Sequence, residues 1–108
     1  MKFSIIVPVY NSANFLPDCL AGVKNQSFDD WELIFIDDGS TDGSRTILDG
    51  YARSDDRIHV FHQENSGQFF AREKGIAMSK GEYILFLDSD DGLMPDCLEK
   101  LYEVICES

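Results

Sequence analysis

The sequence lacks a paired cysteine framework and contains no long apolar run. Cys19, Cys97 and Cys106 are an odd number of thiols, and their spacing matches neither a disulfide framework nor a metal site. We therefore interpret them as small apolar core residues in a reducing compartment. No apolar stretch approaches the ~20 residues of a membrane span, and the N-terminus lacks a signal-peptide pattern. We expect a soluble, cytoplasmic protein.

Positive charge is also scarce. Nine Lys and Arg residues face twenty Asp and Glu residues, which gives a formal net charge of −11. This balance argues against a nucleic-acid partner held through phosphate contacts. An acidic chain that binds an anionic ligand needs a metal ion or a local cation. The 108 residues, 44% of them hydrophobic, suffice for one compact domain with a core.

Apolar segments alternate with segments of helical character. The pattern predicts strands at residues 3–10, 31–36, 57–61 and 83–87, and helices at residues 17–25, from Thr41 or Asp42 to 54, at 65–79 and from Pro95 through Ile105. Pro8 cannot donate to a ladder, so the first regular strand is expected to end there. Four strand–helix repeats predict an α/β, Rossmann-like parallel sheet with flanking helices and strand order 3-2-1-4.

The fourth apolar segment leads directly into a cluster of acids. Tyr83–Leu87 are five consecutive apolar residues, which predicts a strand buried on both faces, and Asp88, Asp90 and Asp91 follow it. Spacing alone fits solvated loop residues or helix caps equally well. Alternatively, Asp88 and Asp90 reach toward the same side of an extended chain. Such hard carboxylate oxygens suit Mg²⁺ or Mn²⁺.

The predicted strand order places several polar strand ends at one crevice. The turnaround between strands 1 and 4 puts Pro8 and Tyr10 beside the acid cluster, and Asp38 reaches the same rim from strand 2. Arg72, on the third predicted helix, either faces this crevice or forms a surface ion pair with Glu73 or a loop acid. Both interpretations of Arg72 remain open at this stage.

Taken together, these motifs resemble the nucleotide-sugar half of a family 2 inverting glycosyltransferase with the GT-A fold. The resemblance is carried by Ser4–Asn11, Ile36–Asp42, Asn65–Arg72, Gly81–Asp91 and Met94–Asp96. It covers nearly the whole chain, and several ordered motifs are more specific than any one of them. It implies that residues 1–108 are the donor-binding part of a longer catalytic domain whose acceptor-binding half is absent.

The resemblance also implies roles for individual residues. Pro8 and Tyr10 would line the base pocket, and Asp38 would accept a hydrogen bond from the uracil N–H, since an ionised carboxylate is acceptor-only. Gly67 would let the backbone approach the nucleotide at a helix N-terminus. Arg72 would complete the nucleotide-binding set.

The resemblance also implies that the acid cluster binds the metal. Asp88 would contact the ribose and Asp90 the metal, and Asp91 would share the metal or orient its ligands. The implied cofactor is a divalent metal, Mn or Mg.

The implied activity is that of a hexosyltransferase in polysaccharide biosynthesis. A sugar would pass from a nucleotide-diphosphate donor, a UDP-sugar, to a hydroxyl of a glycan or lipid-linked acceptor with inversion. The general base is expected beyond Ser108, so this chain alone would be inactive, and membrane contact would come only through parts absent here. The alternative is a non-catalytic nucleotide-binding or scaffold domain of the same fold. A receiver-type signalling module would need acids after strand 1, where Pro8 and Tyr10 stand.

Overall fold

The computed structural model describes residues 2–91 and 93–107. Met1, Gly92 and Ser108, the last residue of the predicted donor-binding unit, lie outside them. Strands and helices alternate in the order β1 Phe3–Val9, α1 Leu16–Lys24, β2 Trp31–Asp38, α2 Ser44–Ser54, β3 Ile58–Gln63, α3 Gln68–Met78, β4 Tyr83–Phe86 and α4 Cys97–Glu107. The predicted α/β alternation is confirmed.

The four strands form one parallel sheet in the order β3-β2-β1-β4, as predicted. β1 pairs with β2 from Phe3↔Trp31 to Val9↔Asp37, and with β4 from Phe3↔Tyr83 to Ile6↔Phe86. Every residue of β1 and β2 is buried, because these strands are central and helices cover both faces. The carboxyl ends of all four strands therefore meet at one edge of the sheet.

The two faces of the sheet are covered unequally. The larger core combines Ile5, Val7 and Phe35 with residues of α1, α2 and α4, including Leu16, Leu48 and Leu98. On the opposite face, the smaller core consists of Ile6, Ile34, Ile36 and Ala71, so α3 is the helix that covers it. This arrangement leaves the α3 face of β4 partly exposed.

The prediction that β4 is buried on both faces is wrong. β4 lies at the edge of the sheet and pairs with β1 alone, while α3 packs over the central strands. Tyr83, Ile84 and Phe86 are therefore 41–45% exposed. An apolar run indicates a strand, but it does not distinguish a central strand from an edge strand that another surface could cover.

Several predicted element boundaries also differ from the structure, for example the start of α3, which is Gln68 rather than Asn65. β1 continues through Pro8 to Val9, which is tolerated because pairing with β4 has already ended at Ile6. The predicted start of α2 at Thr41 or Asp42 comes too early, since the helix begins at Ser44 with Gly43 at the cap position. Thr41 is bound to the loop that follows β1, whereas the Asp42 carboxylate accepts the Ser44 N–H (2.9 Å), as expected of a capping acid.

The last helix begins at Cys97 rather than at Pro95. The buried Gln26 side chain determines this start: its amide donates to Met94 O (2.8 Å), and its Oε1 accepts the N–H of Leu98 (3.0 Å). Residues 94–96 therefore lead into the helix as an anchored turn. Across the described ranges, no helix combines the length and the apolar character needed to cross a membrane.

Candidate functional site

A cavity of about 560 Å³ lies where the carboxyl ends of β1, β2 and β4 meet. Such crevices at a change of strand order are the usual ligand positions of open α/β sheets. Its walls come from four loops and the first turn of α3. They consist of Pro8, Tyr10, Asn11, Ser12, Phe15, Asp38, Asn65, Gly67, Gln68, Asp88, Ser89 and Asp90.

Tyr10 supplies an aromatic wall of this cavity. It is the first residue after β1 and is 52% exposed, while Pro8 beneath it is buried. Asn11 then takes a left-handed conformation, φ 49°, which turns the chain sharply away from the sheet and is tolerated by Asn. A narrower slot continues between Tyr10, Gln68 and Ala71. A flat ring system can therefore lie against the tyrosine.

Asp38 lies at the end of β2 and is 5% exposed. Its Oδ1 accepts the Gln63 side-chain amide (2.9 Å) and the Ser66 N–H (2.7 Å), and its Oδ2 accepts the Gly67 N–H (3.0 Å). Burial tends to raise the pKa of Asp38, but these hydrogen bonds outweigh it and lower the pKa below its ordinary value. Asp38 thus joins β2 to the start of α3, and Oδ2 retains capacity for one more donor.

Gly67 allows this contact because its φ is 95°, a conformation that side chains disfavour. It is the residue before the first turn of α3.

Asp37 faces the scaffold instead of the cavity. Its Oδ1 accepts the Ser40 N–H at 3.0 Å, and its Oδ2 lies 2.8 Å from His62 Nδ1. The other ring nitrogen of His62 lies 2.8 Å from Asp49 Oδ1 on α2. Asp37 therefore holds the loop after β2 against β3 and α2.

Asp88, Asp90 and Asp91 form an exposed cluster directly after β4. One carboxylate oxygen of each lies within 4.8 Å of the others, and a turn closed by the Asp91 N–H and the Asp88 carbonyl (3.0 Å) brings them together. Their like charges repel one another at these separations. Three hard oxygen donors in this arrangement fit a divalent cation such as Mg²⁺ or Mn²⁺.

Arg72 approaches the cluster from α3. Its Nη2 lies 3.7 Å from Asp88 Oδ1, and its guanidinium lies 5.8 Å from the centre of the Phe86 ring. The Arg72 Nε is buried without a hydrogen-bond partner among the described residues. Of the two interpretations of Arg72, the structure pairs it with a loop acid, and that acid belongs to the cavity wall.

The structure brings most of the predicted site residues together. Six of them line the one cavity: Pro8, Tyr10, Asp38, Gly67, Asp88 and Asp90. Asp91 belongs to the same cluster but faces an adjoining hollow beside Phe15 and Asp18, and Arg72 reaches the site through Asp88.

Sequence reasoning missed the remaining wall residues: Asn11, Ser12, Phe15, Asn65, Gln68 and Ser89. Of these, Asn11 carried a usable signal, since an Asn directly after a buried strand suits a left-handed turn. The hydroxyls of Ser12 and Ser89 carried none, because serine is common in any loop.

The parallel sheet with strand order 3-2-1-4 and flanking helices defines the GT-A fold class. The structure of S. aureus TarS 1-349 in complex with UDP superposes on this chain with a TM-score of 0.91 at 32% identity, covering 99% of this chain and 32% of that one. The family model of glycosyl transferase family 2 matches residues 4–108. The chain therefore belongs to glycosyl transferase family 2.

Relatives from other bacteria share the same region. TuaG of Bacillus subtilis (strain 168) is 46% identical over 105 residues, which cover 96% of this chain and 42% of TuaG. The glycosyltransferase GlyG of Streptococcus pneumoniae serotype 4 is 41% identical over 105 residues, 96% of this chain and 35% of GlyG. The chain thus spans well under half the length of these relatives.

Proposed function

We propose that this chain is the donor-binding part of an inverting, metal-dependent hexosyltransferase. Its donor is a UDP-sugar, and the acceptor is a hydroxyl of a glycan or a lipid-linked glycan in polysaccharide biosynthesis. The free thiols at positions 19, 97 and 106 support a reducing, cytoplasmic location. The neighbouring S. aureus TarS structure in complex with UDP supports the choice of nucleotide.

One observation carries the proposal. A single cavity joins an aromatic face, a buried carboxylate with spare acceptor capacity and a cluster of three acids. A nucleoside diphosphate needs a surface for its base, an acceptor for its ring N–H and a counter-charge for its phosphates. Tyr10, Asp38 and a cation held by the acids would provide these in that order along the cavity.

Each residue then has a defined task toward the donor. Tyr10 and Pro8 bind the base, and Asp38 accepts its ring N–H while keeping Gly67 in place. Asp88 orients the ribose, and Arg72 restrains Asp88 and adds positive charge near the phosphates. These are positioning and electrostatic contributions, which carry much of the catalysis of group transfer.

Asp90, Asp88 and Asp91 would hold the metal, Mn or Mg. When bound, it supplies Lewis-acid stabilisation of the departing diphosphate. Without a cation, a diphosphate would meet the like charges of the cluster in a chain whose net charge is already −11. Nucleotide affinity should therefore depend on the metal.

Calorimetric titration with UDP tests this proposal. We expect binding in Mn²⁺ and its loss in EDTA, and an equivalent loss in Asp90→Ala in the presence of Mn²⁺. Asp56→Ala is the matched control, because it removes an exposed acid that lies before β3, at the opposite edge of the sheet. Equal affinity with and without EDTA, or normal binding by Asp90→Ala, would remove the metal from the account.

A further inference from the structure

Ser12 lies buried, 8% exposed, where three loops meet. Its backbone N–H donates to Ser44 Oγ at the start of α2 (3.1 Å), and its hydroxyl donates to the carbonyl of Tyr10 (3.1 Å). The same hydroxyl accepts from Ser89 Oγ at 2.9 Å. Ser12 therefore connects the loop after β1 with α2 and with the acid loop, residues 88–91.

The loops after β1 and β2 are also linked without Ser12. The Asn11 side-chain oxygen accepts the Thr41 N–H (2.7 Å), the Asn11 N–H donates to Ser40 Oγ (3.0 Å), and the Ala13 N–H donates to the Asp42 carboxylate (3.2 Å). These contacts hold the loops after β1 and β2 together without the Ser12 side chain.

The acid loop is attached to the loop after β1 by fewer hydrogen bonds. Within residues 2–91 and 93–107, the hydrogen bond that joins residues 88–91 to residues 10–13 is the one from Ser89 to Ser12. Ser89 stands between Asp88 and Asp90, so restraining it restrains the carboxylates on either side. The linkage consists of two neutral hydroxyls and adds no charge to a cluster that already repels itself.

We propose that Ser12 is a positioning residue that, through Ser89, fixes the metal-binding acids relative to the base-binding Tyr10. This proposal rests on the proposed function, because it assigns a role within the same donor site. Because Tyr10 O and Ser89 share the Ser12 hydroxyl, the base wall and the acids are joined through one side chain. Holding the acids in place before binding reduces the ordering cost of binding.

The test compares Ser12→Ala, Ser89→Ala and the double variant with wild type. Ser54→Ala is the matched control, since its hydroxyl donates to Tyr51 O (2.8 Å) on the exposed end of α2, at the amino edge of the sheet. Two readouts are used: Mn²⁺ affinity in saturating UDP, from the electron paramagnetic resonance of free Mn²⁺, and hydrogen exchange of residues 88–91 in the ligand-free chain.

We expect each single variant to weaken Mn²⁺ binding roughly 3- to 10-fold, the effect of one hydrogen bond on an equilibrium constant. The double variant should lose about as much as either single one, because both remove the same bond. Exchange of the acid loop should accelerate in all three and stay unchanged in Ser54→Ala. Ser89→Thr, which keeps a hydroxyl, should restore the wild-type values.

Other outcomes would overturn the proposal. An unchanged rate of hydrogen exchange at residues 88–91 in a folded Ser12→Ala variant would contradict it. Additive losses of Mn²⁺ affinity in the double variant would contradict it as well. If Ser12→Ala does not fold, Ser89→Ala removes the same bond while leaving the two other bonds of Ser12 intact, and the same criteria apply to it. Faster loop exchange in the variants of a chain that binds neither Mn²⁺ nor UDP would support the linkage but contradict the proposed function.

Discussion

At the scale of single residues, two adjacent carboxylates have different surroundings. Successive side chains of a strand point to opposite faces of the sheet, so Asp37 and Asp38 face opposite sides. The Asp37 carboxylate accepts the Ser40 N–H and forms a hydrogen bond with His62, whereas Asp38 lines the cavity. Asp38 is thus the one of the two that can meet a ligand in the cavity, as the proposed base recognition requires, whereas Asp37 supports the loop after β2.

We predict that Asp38→Ala weakens binding of uridine nucleotides by ~1.5–3 kcal/mol, the range for a hydrogen bond to a charged group. It should also lower the free energy of unfolding by about 1–3 kcal/mol, because donors at Gln63, Ser66 and Gly67 lose their acceptor. Calorimetry with UDP and urea unfolding measure the two effects separately.

Asp37→Ala serves as the comparison. It should reduce stability, because His62 loses its partner on β2, yet leave the preference for uridine over other nucleotides unchanged. Normal UDP binding by Asp38→Ala, together with lost binding by a folded Asp37→Ala, would reverse the two assignments.

The pH dependence of stability follows from three aspartates with lowered pKa values. Hydrogen bonds lower the pKa of Asp38 despite its burial; Ser44 lowers that of Asp42, and hydrogen bonds and charge from Arg57 lower that of Asp55. Because each pKa lies below the unfolded value of about 3.9, the stabilisation is fully present above pH ~4. It is lost as the pH falls through the folded pKa values.

We therefore expect the contribution of these three aspartates to the urea midpoint to be constant near neutral pH and to fall below pH ~4. Asp38→Asn should be less stable than wild type at pH 6, and the difference should shrink toward pH 2.5. A gap that stays constant across this range would show that Asp38 does not titrate with a lowered pKa.

At the scale of elements, α3 lies unusually close to β1. A Cβ built on Gly75 would overlap the side chain of Ile6, whereas a Cβ on Gly50 in α2 would meet open space. Helix propensity is the same at both positions, so they isolate the effect of packing. Close approach of α3 also brings Gln68 and Arg72 to the cavity.

We predict that Gly75→Ala lowers the free energy of unfolding by about 1–2 kcal/mol, because overpacking outweighs the ~1 kcal/mol gain in helix propensity. Gly50→Ala should instead raise it by about 0.5–1 kcal/mol. Urea denaturation of both variants measures the difference. Equal stabilisation by the two substitutions would show that α3 does not need a glycine at position 75.

The elements themselves could be predicted from the sequence, because apolar runs and helical periodicity alternate without interruption. The first and last residues of the elements could not be predicted in this way. The loop before α2 is held by Asn11, thirty residues before Thr41, and the start of α4 depends on Gln26. The exposure of β4 likewise depends on sheet order and on how far α3 extends, neither of which is encoded within residues 83–87.

The candidate site likewise has features that could be predicted from the sequence and features that could not. The position of Asp38 and of the acids after β4 at the cavity could be predicted, because each follows an apolar run and the predicted strand order brings these strand ends together. The partners of Asp38 and the Ser12–Ser89 bond could not, since they join segments 25 to 77 residues apart.

At the scale of the whole molecule, the chain matches only part of the length of its relatives. It covers 32% of the TarS 1-349 structure and 42% of TuaG, and β4 exposes Ile84 and Phe86 on its uncovered face. Inverting transfer needs a carboxylate within ~2.6–3.2 Å of the acceptor hydroxyl. The acids of the cavity are already engaged by loops or by the proposed metal.

We predict that the chain binds UDP-sugars but does not transfer sugar. Loss of the general base costs ~10²–10⁴-fold in rate, and loss of acceptor positioning removes a further ~7–11 kcal/mol. The assay incubates the chain with UDP-sugars, Mn²⁺ and candidate acceptors and follows UDP and product by mass spectrometry. Acceptor-dependent turnover would place a base within this chain, and Asp91 and Asp96 would be the acids to replace first.

One cavity, by our proposal, binds both the nucleotide and the metal. A crystal structure of the chain grown with UDP and Mn²⁺, with anomalous scattering recorded for manganese, tests it most directly. We predict an anomalous peak among the carboxylates of Asp88, Asp90 and Asp91, with uracil against Tyr10 and its N–H on Asp38. A peak at another place, or a cavity without nucleotide at saturating UDP, would contradict the account.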